Sequence, residues 1–451
     1  MFRLSPGART THDSHQDVRI MGRSLERSAE IINRFSPDEG IPRLRKDDLV
    51  YFTEFNCDNW ILKYLNPEDS FESGDSSESP RNCRLWLVQA AGRLVSMWRT
   101  RFAALLVFPV LFSSDLLTAS EKHESLRQAF LKLIDRPRVP LAPSVARLSE
   151  SEGQEQWHFT FAADASQRVT GLLVKQSNLT TQQPAIIVLH GTGGNKEAQL
   201  PLLKELATKG FTAVAIDGRY HGERAKKGAR SAEYVDAILR TWRTGEEHPF
   251  LYDTVWDLMR LLDYLETRKD VDRQRIGMIG FSKGGMETYL AAAVDPRIAV
   301  AVPCIGVQSF RWALENGAWK SRVETFQPAV DAAAREAGLA EITPDFVRRF
   351  YDRVAPGIYG QFDGPEMLPL IAPRPLLSIN GDSDPRTPRP GVLECADAAR
   401  KAYAAKNAEE RFVLQLQENT GHKVTAPALQ LAISWFEKWL KPSVSSARNS
   451  H

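Results

Sequence analysis

Cysteine is scarce in this chain: four in 451 residues, Cys57, Cys83, Cys304 and Cys395, with no C-x-x-C pair. That scatter argues against both a disulfide framework and a structural zinc site. No H-E-x-x-H run or acidic cluster supplies metal ligands either, so no metal is expected. An excess of one charge is also missing. The 58 basic and 56 acidic residues leave +2, and no basic stripe interleaved with aromatics invites nucleic acid. No G-K-S/T follows a glycine-rich loop and no acid is placed for a ribose, so no nucleotide cofactor is expected. What is present, 43% apolar and 25% charged residues, suits a chain with a full core, and the length allows one large domain plus an appendage.

The most informative stretch is Gly280-Phe281-Ser282-Lys283-Gly284-Gly285, between the apolar run 275–279 and a helix-like run at 286–293. G-x-S-x-G in strand–turn–helix context is the nucleophile elbow of the α/β-hydrolases. The turn is sharp, so Gly280 and Gly284 must lack side chains for strand and helix to approach, and Ser282 Oγ is held out of the sheet. A serine hydroxyl needs a base, and the base needs an acid to fix its tautomer. In this fold the order along the chain is Ser, then Asp or Glu, then His. Two histidines follow Ser282, His422 and the terminal His451. His422 stands in a loop after the strand-like 411–417 and is the expected base. For the acid, 375–380 reads as a strand and Gly381-Asp382-Ser383-Asp384-Pro385 follows it. The spacing favours Asp384; Asp382 is expected to cap the turn, with Glu418 a third candidate.

Two backbone N–H donors are needed for the oxyanion. Lys283 N–H is the first. The second is expected from the loop after 185–189, His190-Gly191-Thr192-Gly193-Gly194, at Thr192 with Gly193 the near alternative. His190 and His221 are read as structural hydrogen-bonders. The Lys283 side chain is expected to point to solvent, the alternative being a cation beside the pocket that favours an anionic acyl group.

Around these motifs strands alternate with helices from about residue 125 to 441, beginning with an antiparallel hairpin at 157–161 and 168–174. This predicts a mostly parallel, eight-stranded sheet flanked by helices, with the site at its carboxyl edge. Between 305 and 370, after the sixth strand, the alternation stops, and aromatics at helical spacing predict a helical cap. Most of its aromatics are expected to glue the cap to the core, leaving a few to line an apolar pocket. Residues 442–451 form a tail.

The first 95 residues differ: periodicity is weak and 68–79 is acidic, serine-rich and linker-like. No function is assigned to them. Within 96–124 an eleven-residue apolar run, 102–112, follows Arg99-Thr100-Arg101 and precedes small residues. Three readings stay open: a secretory signal, with Met97 as the true start; a membrane-associated anchor; or a helix buried on the main domain. The compartment follows whichever holds, and the oligomeric state is not legible. Asn178-Leu179-Thr180 fits a surface loop.

Four further stretches, 302–313, 353–357, 362–365 and 371–375, resemble the dienelactone hydrolase/prolyl-oligopeptidase-like branch of the α/β-hydrolases. More narrowly, they are similar to uncharacterised plant and bacterial hydrolases of that branch. The likeness spans roughly 125–441 and implies Ser282, Asp384 and His422 as a triad, matching the order of motifs. The expected activity is cleavage of a small carboxylic ester through an acyl-enzyme, with short acyl chains because a cap limits access. The alternatives are a serine peptidase of prolyl-oligopeptidase type, weakened by the lack of a preceding β-propeller, and a non-catalytic hydrolase-fold binding protein.

Overall fold

A computed structural model describes residues 120–225 and 232–441. The expectations for 1–95, the apolar run 102–112, the start at Met97 and the tail 442–451 lie outside these residues. Among the described residues no helix is long and apolar enough to cross a membrane.

Continuous apolar runs build the centre of the sheet, because a parallel strand is covered on both faces. In β4 (Gln183–Leu189), Ile187 and Leu189 pack into one buried cluster and Ile186 and Val188 into another. The strands around it are β5 (Thr212–Ile216), β6 (Val271–Phe281), β7 (Ile298–Cys304), β8 (Leu376–Gly381) and β9 (Phe412–Gln417). With β1 (Ser144–Ser151), β2 (Gln154–Ala162) and β3 (Arg168–Gln176) they form one sheet in the order 1-2-3-5-4-6-7-8-9. The first three are antiparallel and the rest parallel among themselves. The sheet therefore has nine strands where eight were expected. The missed one is β1, whose eight residues are all exposed. A solvated edge strand carries no hydrophobic alternation to announce it. The cap accordingly follows the seventh strand.

Helices cover both faces. On one lie α1 (120–134), α4 (Tyr252–Glu266), α5 (Lys283–Val294) and α11 (Arg389–Ala404); on the other, α2 (Leu200–Thr208) and α12 (Ala426–Leu440). The helix α3 (Ala232–Thr244) was not foreseen, although its buried residues Tyr234, Ala237, Ile238 and Thr241 keep helical spacing. The cap comprises α6 (Phe310–Glu315), α7 (Lys320–Val323), α8 (Gln327–Glu336), α9 (Pro344–Val354) and α10 (Gly364–Met367). Pro328 sits in the first turn of α8 and the Thr343 hydroxyl caps α9 by accepting from Phe346 N–H. Aromatic glue is what the cap rings provide: Phe326, Phe346, Phe350 and Tyr351 are fully buried, Phe326 meets Phe250 at 5.1 Å and Phe350 meets Trp242 at 5.7 Å.

Among the described residues, the helix that contains residue 125 starts at residue 120. Residues 120–124 continue into α1, and Phe130 of that helix packs edge-on against Tyr252 at 4.9 Å and Phe362 at 5.0 Å. Phe130 is wholly buried. Replacing it with alanine should cost about 3–5 kcal/mol of unfolding free energy, read from urea denaturation of the full chain. An unchanged midpoint would show that α1 is not part of the folded body.

Candidate active site

The end of β6 runs into α5 with a single residue between them. Ser282 has φ 56° and ψ −113°, a conformation that costs a non-glycine residue of order 1–3 kcal/mol and needs its surroundings to hold it. Its N–H donates to Cys304 O at 2.9 Å and its carbonyl accepts from Met286 N–H. Close approach supplies the rest. A Cβ on Gly280 would lie 2.1 Å from Gly284 O, and one on Gly284 would lie 2.7 Å from Leu189 O. Both glycines are needed as expected, the second because helix α5 also presses on the end of β4.

His422 reaches the serine from the loop after β9. Its Nε2 stands 2.8 Å from Ser282 Oγ, and its Nδ1 stands 2.7 Å from Asp384 Oδ2. The Gln417 side chain brackets this loop, donating to Lys423 O and accepting from Thr425 N–H. Asp384 follows β8. Its Oδ1 accepts from Arg386 N–H at 2.8 Å and its Oδ2 from the Thr387 hydroxyl at 2.7 Å. Thr387 in turn accepts from Asn380 Nδ2. Burial pushes the Asp384 carboxyl up, but the bonds from His422 and Thr387 outweigh it and hold the group below its ordinary value. Asp382 instead faces solvent and ties the turn, accepting from Thr420 N–H and the Ser383 hydroxyl. Glu418 enters only through its carbonyl among the described contacts, accepting from Thr420 Oγ1.

The glycine-rich loop after β4 runs alongside the serine. A Cβ on Gly191 would lie 3.5 Å from Ser282 Cβ, and Gly194 N–H closes the turn onto Gly191 O at 3.0 Å. Thr192 lies within that turn, and Lys283, as the first residue of α5, has an N–H with no acceptor inside its own helix. His190 braces the loop, donating from Nδ1 to Gly191 O and accepting at Nε2 from Gly218 N–H. His221 donates to Arg219 O. The loop's far end is tied by Lys196, whose N–H and Nζ both bond the buried Asp217 carboxylate at 2.9 and 2.8 Å.

The Lys283 side chain does not point to solvent. It is 1% exposed, bonded to Glu287 one turn along α5 at 2.5 Å. Glu287 is buried too, and burial pushes its carboxyl up against the pull of Lys283. An i, i+4 pair ordinarily reads as a solvated helix face; here α4 and Tyr234 cover it, Lys283 Nζ lying 5.9 Å from the Tyr234 ring centre. The ion pair thus lies beneath the elbow rather than beside the substrate.

A cavity of about 340 Å³, counting its open mouth, meets Ser282 and His422 between sheet and cap. Phe250, Phe310 and Met286 give it apolar walls, and Arg322 and Gln308 bring polar groups to it. Sequence reasoning missed these last two. Lys320-Ser321-Arg322 reads as an exposed charge run, and only the burial of α7 shows otherwise. Asn178 lies exposed in the turn after β3. Cys304 and Cys395 are free and buried, and no group of possible metal ligands occurs among the described residues.

Residues 139–314 match the acetyl xylan esterase (AXE1) family. The putative hydrolase YtaP of Bacillus subtilis is 25% identical over 333 residues, 71% of this chain and all of that protein. The putative esterase YitV of the same organism is 26% identical over 61% of this chain and 98% of its own length. Among solved structures, acetyl xylan esterase 1 from Thermoanaerobacterium sp. JW/SL YS485 superposes with a TM-score of 0.54 at 18% identity, covering 71% of this chain and 94% of that one. The fold is that of the α/β-hydrolases, and the chain is a hydrolase whose family match names carboxylic esters. The narrower dienelactone hydrolase/prolyl-oligopeptidase branch is not reached by these matches.

The two buried imidazoles make stability depend on pH. Burial first, and the Lys283 cation second, lower His190 to about 4 and His221 to about 2, against an ordinary 6.5. The unfolded chain then binds more protons than the folded one below pH 6.5, so stability is full above that pH and is lost as pH falls toward 4. Each histidine should remove about 2 kcal/mol between pH 7 and pH 5, measured by urea unfolding at the two pH values. His221→Asn, which keeps a donor for Arg219 O, should lose its share of that slope; an unaltered slope would refute the assignment.

Proposed function

We propose that the chain is a serine esterase that removes short acyl groups, acetyl first among them, through an acyl-enzyme. The observation that carries this reading is the unbroken line Ser282 Oγ, His422, Asp384, with contacts of 2.8 and 2.7 Å at the floor of a cavity of limited volume. His422 Nδ1–H donates to Asp384, which leaves Nε2 free to take the hydroxyl proton as Ser282 attacks the acyl carbon. The tetrahedral oxyanion would be met by Lys283 N–H and the Thr192 amide, with no reorganisation needed at that moment. The imidazolium returns its proton to the leaving alcohol. Water, activated by the same nitrogen, then releases the acid and restores Ser282. Asp384 is held ionised by His422, Thr387 and Arg386, so it stabilises the imidazolium throughout.

The preference for acetyl rests on the cavity and on the AXE1 match; the alcohol would be polyhydroxylated if the likeness to acetyl xylan esterases extends to substrate. The dienelactone hydrolase/prolyl-oligopeptidase likeness of the cap-flanking stretches is compatible with this mechanism, and its peptidase side would change only the bond cleaved, from ester to amide.

The test is hydrolysis of 4-nitrophenyl acetate, butyrate and octanoate by the full chain. Acetate and butyrate should lead, and Ser282→Ala should lower kcat/KM by roughly 10⁶-fold and Asp384→Asn by about 10⁴-fold. Activity that survives Ser282→Ala would overturn the reading, and cleavage of peptide amides in preference to esters would favour the peptidase alternative.

A further inference from the structure

The cap delivers a cation to this cavity without giving it a counter-ion. Arg322, on α7, is 6% exposed and lines the cavity with Ser282 and His422. Its Nε donates to the neutral Ser321 hydroxyl at 2.9 Å and its guanidinium lies 5.3 Å from the Phe310 ring centre. Its Nη2 is buried with no hydrogen-bond partner, and no carboxylate pairs with it among the described residues. Every other arginine so deeply buried on the described chain has one: Arg219 meets Asp257 and Asp164, and Arg260 meets Asp263. Desolvating a cation costs several kcal/mol unless an anion compensates, and a guanidinium cannot escape by losing its proton. Here the wall of the cavity offers no ion pair, and Asp384 and Asp363 act on the guanidinium only from beyond contact distance. The wall residues include no aspartate or glutamate, and they add a second guanidinium, Arg386, at the mouth. Gln308, whose Oε1 is likewise buried and unpartnered, stands on the same wall.

We propose that Arg322 is a specificity-determining residue that pairs with a carboxylate on the ester substrate, so that the enzyme acts on anionic esters. The proposal rests on the esterase reading above. The open fork of the guanidinium suits a planar, bidentate anion, and the apolar walls around it strengthen the attraction. A carboxylate could belong to the alcohol or to the acyl part, and the two are separable by choice of substrate.

The experiment uses the full chain and matched pairs that differ in one charge. For the alcohol side these are 4-acetoxybenzoate and 4-acetoxybenzamide; for the acyl side, 4-nitrophenyl hydrogen adipate and its methyl ester. The wild type should favour the anionic member of one pair by about tenfold or more in kcat/KM. Arg322→Met should remove that preference while leaving the neutral member within about threefold, and Arg322→Lys should keep part of it. Equal losses on charged and neutral esters, or no preference in the wild type, would overturn the proposal. A second measurement stands apart from catalysis. In Ser282→Ala, benzoate and adipate binding by calorimetry should be detectable and should vanish when Arg322→Met is added. If neither ester pair turns over but anion binding behaves so, the esterase reading fails and the anion site stands; if esters turn over with no anion effect, the reverse holds. Arg322→Met should also raise Tm, because an uncompensated buried cation is removed; a fall in Tm would mark Arg322 as structural.

Discussion

The structure depends on one backbone constraint, the left-handed turn at Ser282. A serine at φ 56° is strained, and nothing in its own side chain relieves it. Three strands hold it instead: β4 through the approach of Gly284 to Leu189 O, β6 through Gly280, and β7 through Cys304 O, which accepts from Ser282 N–H. A Cβ at Gly280 would meet Gly284 O at 2.1 Å and one at Gly284 would meet Leu189 O at 2.7 Å, so either would push α5 away from the sheet. The consequence reaches the chemistry directly. Because α5 is pressed against the ends of β4 and β6, its first residue, Lys283, and the Gly191–Gly194 loop both lie next to Ser282. The oxyanion donors proposed at Lys283 and Thr192 would then be a by-product of the packing that forces the elbow.

Beneath the elbow lies a polar layer that a purely apolar core could replace at lower desolvation cost. Lys283 pairs with Glu287, Lys196 with Asp217, and His190 and His221 sit neutral among them. Their value is positional. Asp217 accepts from Lys196 N–H, Lys196 Nζ, Thr170 Oγ1 and Glu223 N–H at once, tying β3, the glycine-rich loop after β4 and the turn after β5 to one carboxylate. His190 does the same between Gly191 and Gly218. A hydrophobic substitute would fill the space and leave those loop amides unpaired, at about 1–3 kcal/mol each. Burial first, and the Lys283 cation second, keep both imidazoles neutral, which preserves the tautomer that His190 needs to donate to one side and accept from the other.

Much of this was legible in the sequence, for a physical reason that also marks where legibility ends. Ser282, Asp384 and His422 sit on loops that follow apolar strands, and a strand run with its turn residues is a local pattern. Spacing along one turn favoured Asp384 over Asp382, and Asp384 is the carboxylate that bonds His422. The central strands and the helices α2 and α4 were likewise written in local periodicity. Three features were not. Strand β1 is fully solvated and is defined only by its pairing with β2. Lys283 with Glu287, and Lys320-Ser321-Arg322, carry the pattern of exposed helical charge, yet α4 covers the first and the cap buries the second. Burial of a charge is decided by tertiary partners: Tyr234 covers Lys283 from 49 residues away, and Phe310 meets Arg322 only because the chain folds back between α6 and α7.

That difference separates two kinds of residue around the cavity. The groups that would make and break bonds come from the sheet, where nine strands and their glycines leave little freedom. The groups that would choose a substrate come from α6 and α7 and from the segment before them, held to the body by rings such as Phe326 and Tyr351, both packed on Phe250. Ring packing tolerates exchange of one apolar shape for another, whereas the elbow tolerates almost none. A cap of this construction can change what the cavity accepts without disturbing the reacting atoms. An arginine brought to the cavity on such an element, uncompensated and expensive, has no evident purpose in holding the fold. On the proposal made above, that cost is offset by a negative charge that arrives with the substrate.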